Sequence, residues 1–243
     1  MDDAFVRAVA LKRDEVGDFD AYPFSIPAIR ELDELALDPH VTLFAGENGS
    51  GKSTLIEALA VAAGFNAEGG SQNMTVSTRP SHSDLHRHLR LVRGTRRPKT
   101  GYFLRAESFF NVATHVDQLG PRSVAQHGGR SLHERSHGES FIALVTHRFG
   151  PKGLYILDEP EAALSLRGVL ALMRRMHDLV AEGSQFIIST HSPVLLGYPD
   201  ATIYVLSESG IAKTAYADTD VVTLTRSFLA DREQFLHHLF DDD

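Results

Sequence analysis

Short apolar runs alternate along the chain with longer segments whose apolar positions recur at helical spacing. VTLFA (41–45), GLYIL (153–157) and QFII (185–188) are almost entirely apolar, as is typical of strands buried on both faces of a sheet. Helical periodicity follows in KSTLIEALAVAA (52–63) and LRGVLALMRRMHDLVA (166–181), and a glycine lies just beyond each. This alternation predicts an α/β fold with a largely parallel sheet, helices on both faces and ligands bound beyond the carboxyl ends of the strands.

Weaker patterns predict the remaining elements. AFVRAVAL is strand-like, GESFIALVTHRF has helical spacing, and TIYVL, SESG and IAKTAYA predict a small antiparallel hairpin. We expect a helical tail over 219–240 and a loop-rich stretch over 17–39. Residues 65–100 are predicted to be irregular with one short helix over 85–91, and 119–136 is a second irregular stretch.

Composition narrows the class of protein. With 243 residues, 42% of them hydrophobic, the chain is long enough to bury a full core. The absence of cysteine excludes disulfides, thiolate chemistry and cysteine-based zinc sites. The sequence lacks both a membrane-spanning apolar run and a secretory signal pattern, so a cytoplasmic location is expected.

The net charge of −8 argues against a protein that coats nucleic acid over its whole surface, but the basic residues are unevenly distributed. Residues 79–105 carry eight of them against the single acid Asp84. This basic segment indicates a local anionic partner, either nucleic acid or an effector protein. The alternative is a solvated segment whose arginines pair with acids elsewhere on the surface.

A glycine-rich turn lies between the first buried strand and the first helix. It matches the G-x-x-x-x-G-K-[ST] pattern of a phosphate loop, in which backbone N–H groups and the helix N-terminus bind phosphate. Lys52 is expected to reach the β- and γ-phosphates, and Ser53 to ligate Mg²⁺. The predicted nucleotide-binding residues here are Gly46, Glu47, Asn48, Gly49, Ser50, Gly51, Lys52, Ser53 and Thr54.

Two acids end the strand GLYILD. Asp158 and Glu159 fall at the expected ligand edge, where a magnesium-holding carboxylate and a water-activating carboxylate belong. We assign Asp158 to the metal and Glu159 to the attacking water. The alternative is a pair of acids that cap the following helix.

With these motifs, ILDEP followed by AALS and His191 after QFIIST, the chain resembles the ATP-binding-cassette (ABC) class of P-loop ATPases. The resemblance implies ATP and Mg²⁺ as ligands and a head-to-tail dimer. It implies that Leu164 and Ser165 lie in the D-loop at the dimer interface, and that His191 contacts the γ-phosphate as a catalytic residue beside Glu159 and Lys52.

That class also has a signature segment, typically LSGGQ, that binds the ATP held by the other subunit. RSHGE (135–139) takes this place, with Ser136 and Gly138 matching and His137 and Glu139 departing. Ser136, Gly138 and Glu139 are carried over as nucleotide contacts. The departures resemble the soluble, non-transporter branch, which includes AAA-type ATPases and relatives of chromosome-maintenance and repair enzymes.

Another departure concerns the metal. The resemblance places a glutamine where this chain has Glu107, which we carry over as a magnesium ligand, with a surface salt bridge as the alternative. His133, Glu134 and His137 spell H-E-x-x-H, a zinc-protease pattern. The glycines on both sides leave no room for the long helix that such a zinc site needs.

The resemblance covers the chain as a single ATPase domain over 1–243, with 65–150 as an inserted lid and signature subdomain. The leading hypothesis is a Mg²⁺-dependent ATPase that closes as a homodimer over two ATP molecules and reopens on hydrolysis. The alternatives are an ATP-switched module that binds nucleic acid or an effector protein through 79–105, and the energy subunit of a membrane transporter.

Overall fold

The computed structural model describes residues 4–71, 83–106 and 136–241. Its strands are β1 (Val6–Leu11), β2 (Glu34–Ala36), β3 (Val41–Gly46), β4 (Leu89–Arg93), β5 (Thr100–Arg105), β6 (Gly153–Asp158), β7 (Gln185–Ser189), β8 (Thr202–Ser207) and β9 (Gly210–Lys213). Its α-helices are α1 (Pro27–Arg30), α2 (Lys52–Ala63), α3 (His137–Arg148), α4 (Leu166–Ala181), α5 (Pro193–Leu196), α6 (Asp220–Ala230) and α7 (Arg232–Asp241). Short 3₁₀ helices occupy Arg13–Glu15, Asp84–His88, Pro160–Ala163 and Tyr216–Asp218.

The main sheet has the strand order β5-β6-β7-β3-β8-β9, with all neighbours parallel except β8 and β9. Its register aligns the strand ends: Arg105 pairs with Asp158, Asp158 with Ser189, and Ser189 with Phe44. The carboxyl ends of β5, β6, β7 and β3 therefore form one continuous edge, and the phosphate loop begins there.

Both faces of this sheet are covered, because successive side chains of a strand point to opposite sides. Tyr155 and Leu157 of β6 belong to a core cluster with α3, α4, α5 and α6. Leu154 and Ile156 belong to a second cluster with α2 and β1. The prediction of a largely parallel sheet with helices on both faces is confirmed.

A smaller antiparallel sheet, with the order β2-β1-β4, packs on the α2 side. The buried Gln185 side chain joins it to the main sheet. Its Oε1 accepts hydrogen bonds from the N–H groups of Phe5 and Val6 at 3.0 Å, and its Nε2 donates to the carbonyls of Val6 and Asp38 at 2.8 Å. Every polar atom of this amide is paired, which makes its burial tolerable.

The structure corrects the extent of one predicted helix and adds two short elements to the loop-rich stretch. The short helix predicted over 85–91 is a 3₁₀ helix that ends at His88, and Leu89–Arg93 is a strand paired with β1. The stretch 17–39 contains α1 and β2. Both strands are short and β4 includes Arg90 and Arg93, so pairing with β1 decides their structure more than local pattern does.

The predicted hairpin and helical tail are confirmed as β8–β9 and as α6–α7, which are separated at Asp231. Within the proposed subdomain range 65–150, β5 is an edge strand of the main sheet and α3 packs in its core. Of the helices in the three described ranges, none has the length and apolar character needed to cross a membrane.

Candidate nucleotide-binding and catalytic site

The phosphate loop connects the end of β3 to the first residue of α2 and curls because glycines adopt positive φ angles. Gly46 has φ 140°, and a Cβ there would overlap the carbonyl oxygen of Leu206 on the neighbouring strand β8. Gly51 has φ 96°, and a Cβ there would lie 2.8 Å from the Ile26 side chain. The glycines thus allow a tight loop at the N-terminus of α2, where backbone N–H groups favour an anion.

Lys52 lies within this loop and is only 3% exposed. Its Nζ donates hydrogen bonds to the carbonyl oxygens of Gly46 at 3.0 Å and Glu47 at 2.8 Å. Burial lowers the pKa of Lys52, and the nearby carboxylates of Glu159 and Asp158 oppose that shift. The loop carbonyls hold the ammonium group, so the cation is in place before any phosphate arrives.

Asp158 ends β6 and is buried beside the loop. The Ser189 hydroxyl donates to its Oδ1 at 2.5 Å, and Arg105 Nε lies 3.5 Å from its Oδ2. Burial raises the pKa of Asp158, while hydrogen bonds from Ser189 and Ser53 and the charge of Arg105 oppose the rise. The structure thus brings together two of the three predicted magnesium ligands, Ser53 and Asp158.

Glu159 has φ 48°, a left-handed conformation that is uncommon for a residue with a side chain. Its N–H donates to the carbonyl and hydroxyl oxygens of Ser189 at 3.1 and 3.2 Å. Its Oε1 lies 3.0 Å from His191 Nε2, and it makes no side-chain capping bond to the following 3₁₀ helix. The Glu159 side chain therefore lies beside His191, the predicted γ-phosphate contact, and does not cap the helix that follows.

Three further residues contact Asp158 or one another at this edge, and no sequence motif had assigned them to the site: Ser189, Arg105 and Glu57. Glu57, on the buried side of α2, accepts a hydrogen bond from Arg105. Arg105 thus neutralises charge on both Glu57 and Asp158. The sequence signal for Arg105 was its position directly after the apolar run YFL. Its strand lies beside the equally apolar strand that ends in Asp158.

The signature segment forms the start of α3. Ser136 Oγ accepts a hydrogen bond from the Glu139 N–H at 3.3 Å, and Glu139 Oε2 accepts from the Ser136 N–H at 3.0 Å. Ser136 Oγ also donates to that carboxylate at 2.9 Å. This is a capping box, and the S-x-x-E pattern at 136–139 was the signal for it.

A groove of about 790 Å³ lies beside this helix start. Its lining combines residues of the signature segment with residues of the predicted D-loop. The first set is Ser136, Gly138 and Glu139, and the second is Leu164 and Ser165. Ser165 caps α4 by accepting a hydrogen bond from the Gly168 N–H. Among the described residues, the groove draws its lining from α3, the Pro160–Ala163 turn and α4, and not from the phosphate loop.

The remaining predicted contacts are distributed as follows. Ser50 Oγ is buried and has no hydrogen-bond partner among the described residues, as expected for a hydroxyl in a ligand cradle. Thr54 Oγ1 lies 3.5 Å from the hydroxyl of Tyr22, a side chain that is largely exposed. Glu107 lies outside the described residues, as do His133 and Glu134 of the zinc pattern.

Ser53 and Asp158 offer the kinds of oxygen ligand with which nucleotide-binding sites hold Mg²⁺. A hydroxyl and a carboxylate are hard oxygen ligands, and Mg²⁺ usually keeps waters and phosphate oxygens in its remaining positions. In the part of the chain that is described, no group of three or more His, Cys, Asp or Glu side chains could hold a metal without such help. Ser53 and Asp158 therefore fit a magnesium ion that enters with a nucleotide.

Three described arginines of the basic segment lie next to acids. Arg87 lies 3.6 Å from Asp84, and Arg90 lies 3.4 Å from Glu34. Arg105 pairs with Glu57 and Asp158, as described above. For Arg87 and Arg90 the structure favours the surface-pairing alternative, whereas the acids beside Arg105 are buried at the edge of the site.

Two domain-family models match the chain. One, described as "AAA domain", matches residues 23–101 and includes the phosphate loop. The other, described as "AAA domain, putative AbiEii toxin, Type IV TA system", matches residues 133–197 and includes the signature segment, Asp158, Glu159 and His191.

The curated relatives include ATP-binding proteins. The "Putative ABC transporter ATP-binding protein" of Methanothermobacter thermautotrophicus is 34% identical over 112 residues, covering 44% of this chain and 40% of that protein. The energy-coupling factor transporter ATP-binding protein EcfA2 of Methanospirillum hungatei is 27% identical over 236 residues, covering 85% of this chain and 57% of that protein. The chain therefore spans only part of the length of these relatives.

Among solved structures, the SMC head domain from Thermotoga maritima aligns with a TM-score of 0.45 and 16% identity, over 86% of this chain and 98% of that one. The domain models and ATP-binding relatives confirm the predicted resemblance to ABC-type P-loop ATPases. They also support the ATPase class of activity.

Proposed function

We propose that this chain binds ATP with Mg²⁺ in the phosphate loop and hydrolyses it in a head-to-tail homodimer. One observation carries the proposal: a single sheet edge holds Lys52 in a glycine-rich loop, Ser53 bonded to Asp158, and Glu159 beside His191. Positive charge, metal ligands and a candidate base are the groups that phosphoryl transfer to water requires.

Each residue has a role in this proposal. The loop N–H groups from Gly46 to Thr54 bind the phosphates, and Lys52 exchanges its loop carbonyl partners for β- and γ-phosphate oxygens. Ser53 and Asp158 hold the magnesium ion, with Glu107 as a further candidate ligand, and the ion supplies charge neutralisation at the phosphates. Glu159 orients and deprotonates the attacking water, and His191 contacts the γ-phosphate.

The second subunit supplies the rest of the site. Ser136 and Gly138 lie at a helix N-terminus, a position suited to a γ-phosphate. Because the phosphate loop does not contribute to the groove beside them, we place them against the nucleotide of the partner subunit, with Leu164 and Ser165 at the interface. The exposed ring of Tyr22, next to Thr54, offers a surface for the purine base.

The experiment that tests this function uses the Glu159→Gln variant. Replacing the carboxylate by an amide keeps the shape of the site but removes the base, so ATP binding is retained and hydrolysis is lost. We expect a stable dimer in ATP and Mg²⁺ by size-exclusion chromatography with light scattering, while the wild type dimerises only transiently.

Two controls accompany it. Glu208→Gln removes an equivalent charge from the exposed β8–β9 turn and should behave like wild type. Lys52→Ala combined with Glu159→Gln should stay monomeric, because the triphosphate that joins the subunits is not held. A Glu159→Gln protein that remains monomeric in ATP, under conditions in which wild type dimerises, would contradict the proposal.

A transporter energy subunit is the second candidate function, since two of the relatives are named as transporter ATP-binding proteins. Recovering the Glu159→Gln protein from membrane and soluble fractions separately distinguishes the two. A transporter subunit would be recovered with a membrane partner, whereas an independent ATPase would be recovered as the homodimer alone.

A further inference from the structure

Glu161 lies in the 3₁₀ turn Pro160–Ala163, two residues after the candidate base, and its Oε1 accepts three hydrogen bonds. The donors are Thr190 Oγ1 at 2.7 Å, the His191 N–H at 2.5 Å and the Ser192 N–H at 3.1 Å. All three come from Thr190–Ser192, which we call the switch segment. One carboxylate oxygen thus binds every residue of the segment that carries His191.

These bonds determine the path of the switch segment between two anchored elements. The segment leaves β7, where the Thr190 N–H donates to the Phe44 carbonyl at 2.9 Å, and enters α5 at Pro193. Charge-assisted hydrogen bonds to backbone N–H groups are among the stronger ones in proteins. They hold the His191 backbone where its ring reaches Glu159 at 3.0 Å.

We propose that Glu161 is a positioning residue for His191. It holds the backbone of the switch segment so that the imidazole faces Glu159 at the phosphate-loop edge, and it acts on the reaction through His191. The inference rests on the proposed function, in which His191 contacts the γ-phosphate.

A second effect of Glu161 must be separated from this one. Its charge also contributes, after Glu159 and Asp158, to raising the pKa of Lys52 against the lowering by burial. A glutamine at this position removes the charge but keeps an oxygen that can accept hydrogen bonds, whereas alanine removes both. If the charge were the important property, Glu161→Gln and Glu161→Ala would be equally impaired.

The test combines kinetics and nuclear magnetic resonance. Glu161→Ala should lower kcat by about 10- to 100-fold, the size expected when a catalytic group is displaced. Glu161→Gln should recover most of that loss, and ATP affinity should stay near the wild-type value in both. The matched control Glu208→Ala should leave both kcat and affinity unchanged.

A double-mutant cycle shows whether the effect passes through His191. In a His191→Ala background, Glu161→Ala should cause no further loss of kcat. A second loss of the same size in that background would overturn the proposal, and so would Glu161→Gln being as impaired as Glu161→Ala.

The readout independent of activity is the backbone amide signals of His191 and Ser192 in the nucleotide-free protein. In Glu161→Ala the His191 proton shift should move upfield and its hydrogen exchange should accelerate, because that N–H loses its carboxylate acceptor. The Ser192 signal should change less, because its N–H also donates to Thr190 Oγ1 at 3.0 Å. Unchanged signals would overturn the positioning role. Absence of ATP hydrolysis by the wild type would instead overturn the proposed function, so the two failures are distinguishable.

Discussion

At the scale of single residues, Tyr155 shows how burial changes the chemistry of a side chain. It lies in the core between Phe149 and Phe186, and its hydroxyl both donates to the Gly150 carbonyl and accepts from the Gly150 N–H, each at 2.7 Å. Burial raises its pKa to about 12, with the Gly150 hydrogen bond opposing the shift. Between the ordinary value of 10.0 and about 12, the folded chain therefore keeps a proton that the unfolded chain releases.

A raised pKa in the folded state means that stability falls as pH rises through that window. Replacing Tyr155→Phe should make the fall shallower, because one of the groups responsible is gone. At neutral pH the same change should cost ~1 kcal/mol, since the half-buried Gly150 N–H loses its partner. Urea unfolding across the alkaline range measures both effects, with Tyr22→Phe at the exposed surface as the control. An alkaline slope as steep as that of wild type would contradict this account.

The residues of the site were predictable where a motif specifies them, and not where a partner depends on strand order. Lys52, Ser53, Asp158 and Glu159 follow from local patterns, and their placement at one edge agrees with the prediction. The hydrogen bond from Ser189 to Asp158 arises because β6 and β7 are neighbours, although the strands are distant in sequence. The residues on either side of Ser189 in the sequence do not predict this hydrogen bond.

At the scale of elements, the start of α3 is stabilised by the capping box of Ser136 and Glu139. Ser136→Ala removes the side chain that accepts the Glu139 N–H bond and should lower the free energy of unfolding by ~1 kcal/mol. Glu139→Gln is the matched variant, because glutamine also completes a capping box and should cost less. Chemical denaturation of both variants measures the difference, and equal losses would show that the box does not form.

Elements with a strong pattern were predictable from sequence, and short paired elements were not. The strands β3, β6 and β7 were recognisable without knowing their partners, because burial on both faces makes them mostly apolar. β4 carries arginines between its apolar residues, and β2 spans only Glu34–Ala36. Both strands exist because β1 pairs with them, which is a tertiary effect.

At the scale of the whole molecule, the parallel sheet gathers the functional groups of distant segments. The register of β5, β6, β7 and β3 places a cation, two acids, a hydroxyl and the phosphate loop along one edge. The signature segment belongs to a separate groove, so the proposed reaction needs a second copy of the chain. In the proposed function, the sheet edge first binds the nucleotide, a second copy then closes over it, and hydrolysis follows.

The most direct test of the central claim is isothermal titration calorimetry of the intact, folded chain with ATP and Mg²⁺. We predict saturable binding by wild type and affinity about 10- to 100-fold lower for Lys52→Ala, the loss expected when hydrogen bonds from a charged group are removed. Omitting Mg²⁺ should weaken wild-type binding as well. Absence of binding by folded wild type, or equal affinity in Lys52→Ala, would contradict the claim that this loop holds a nucleoside triphosphate.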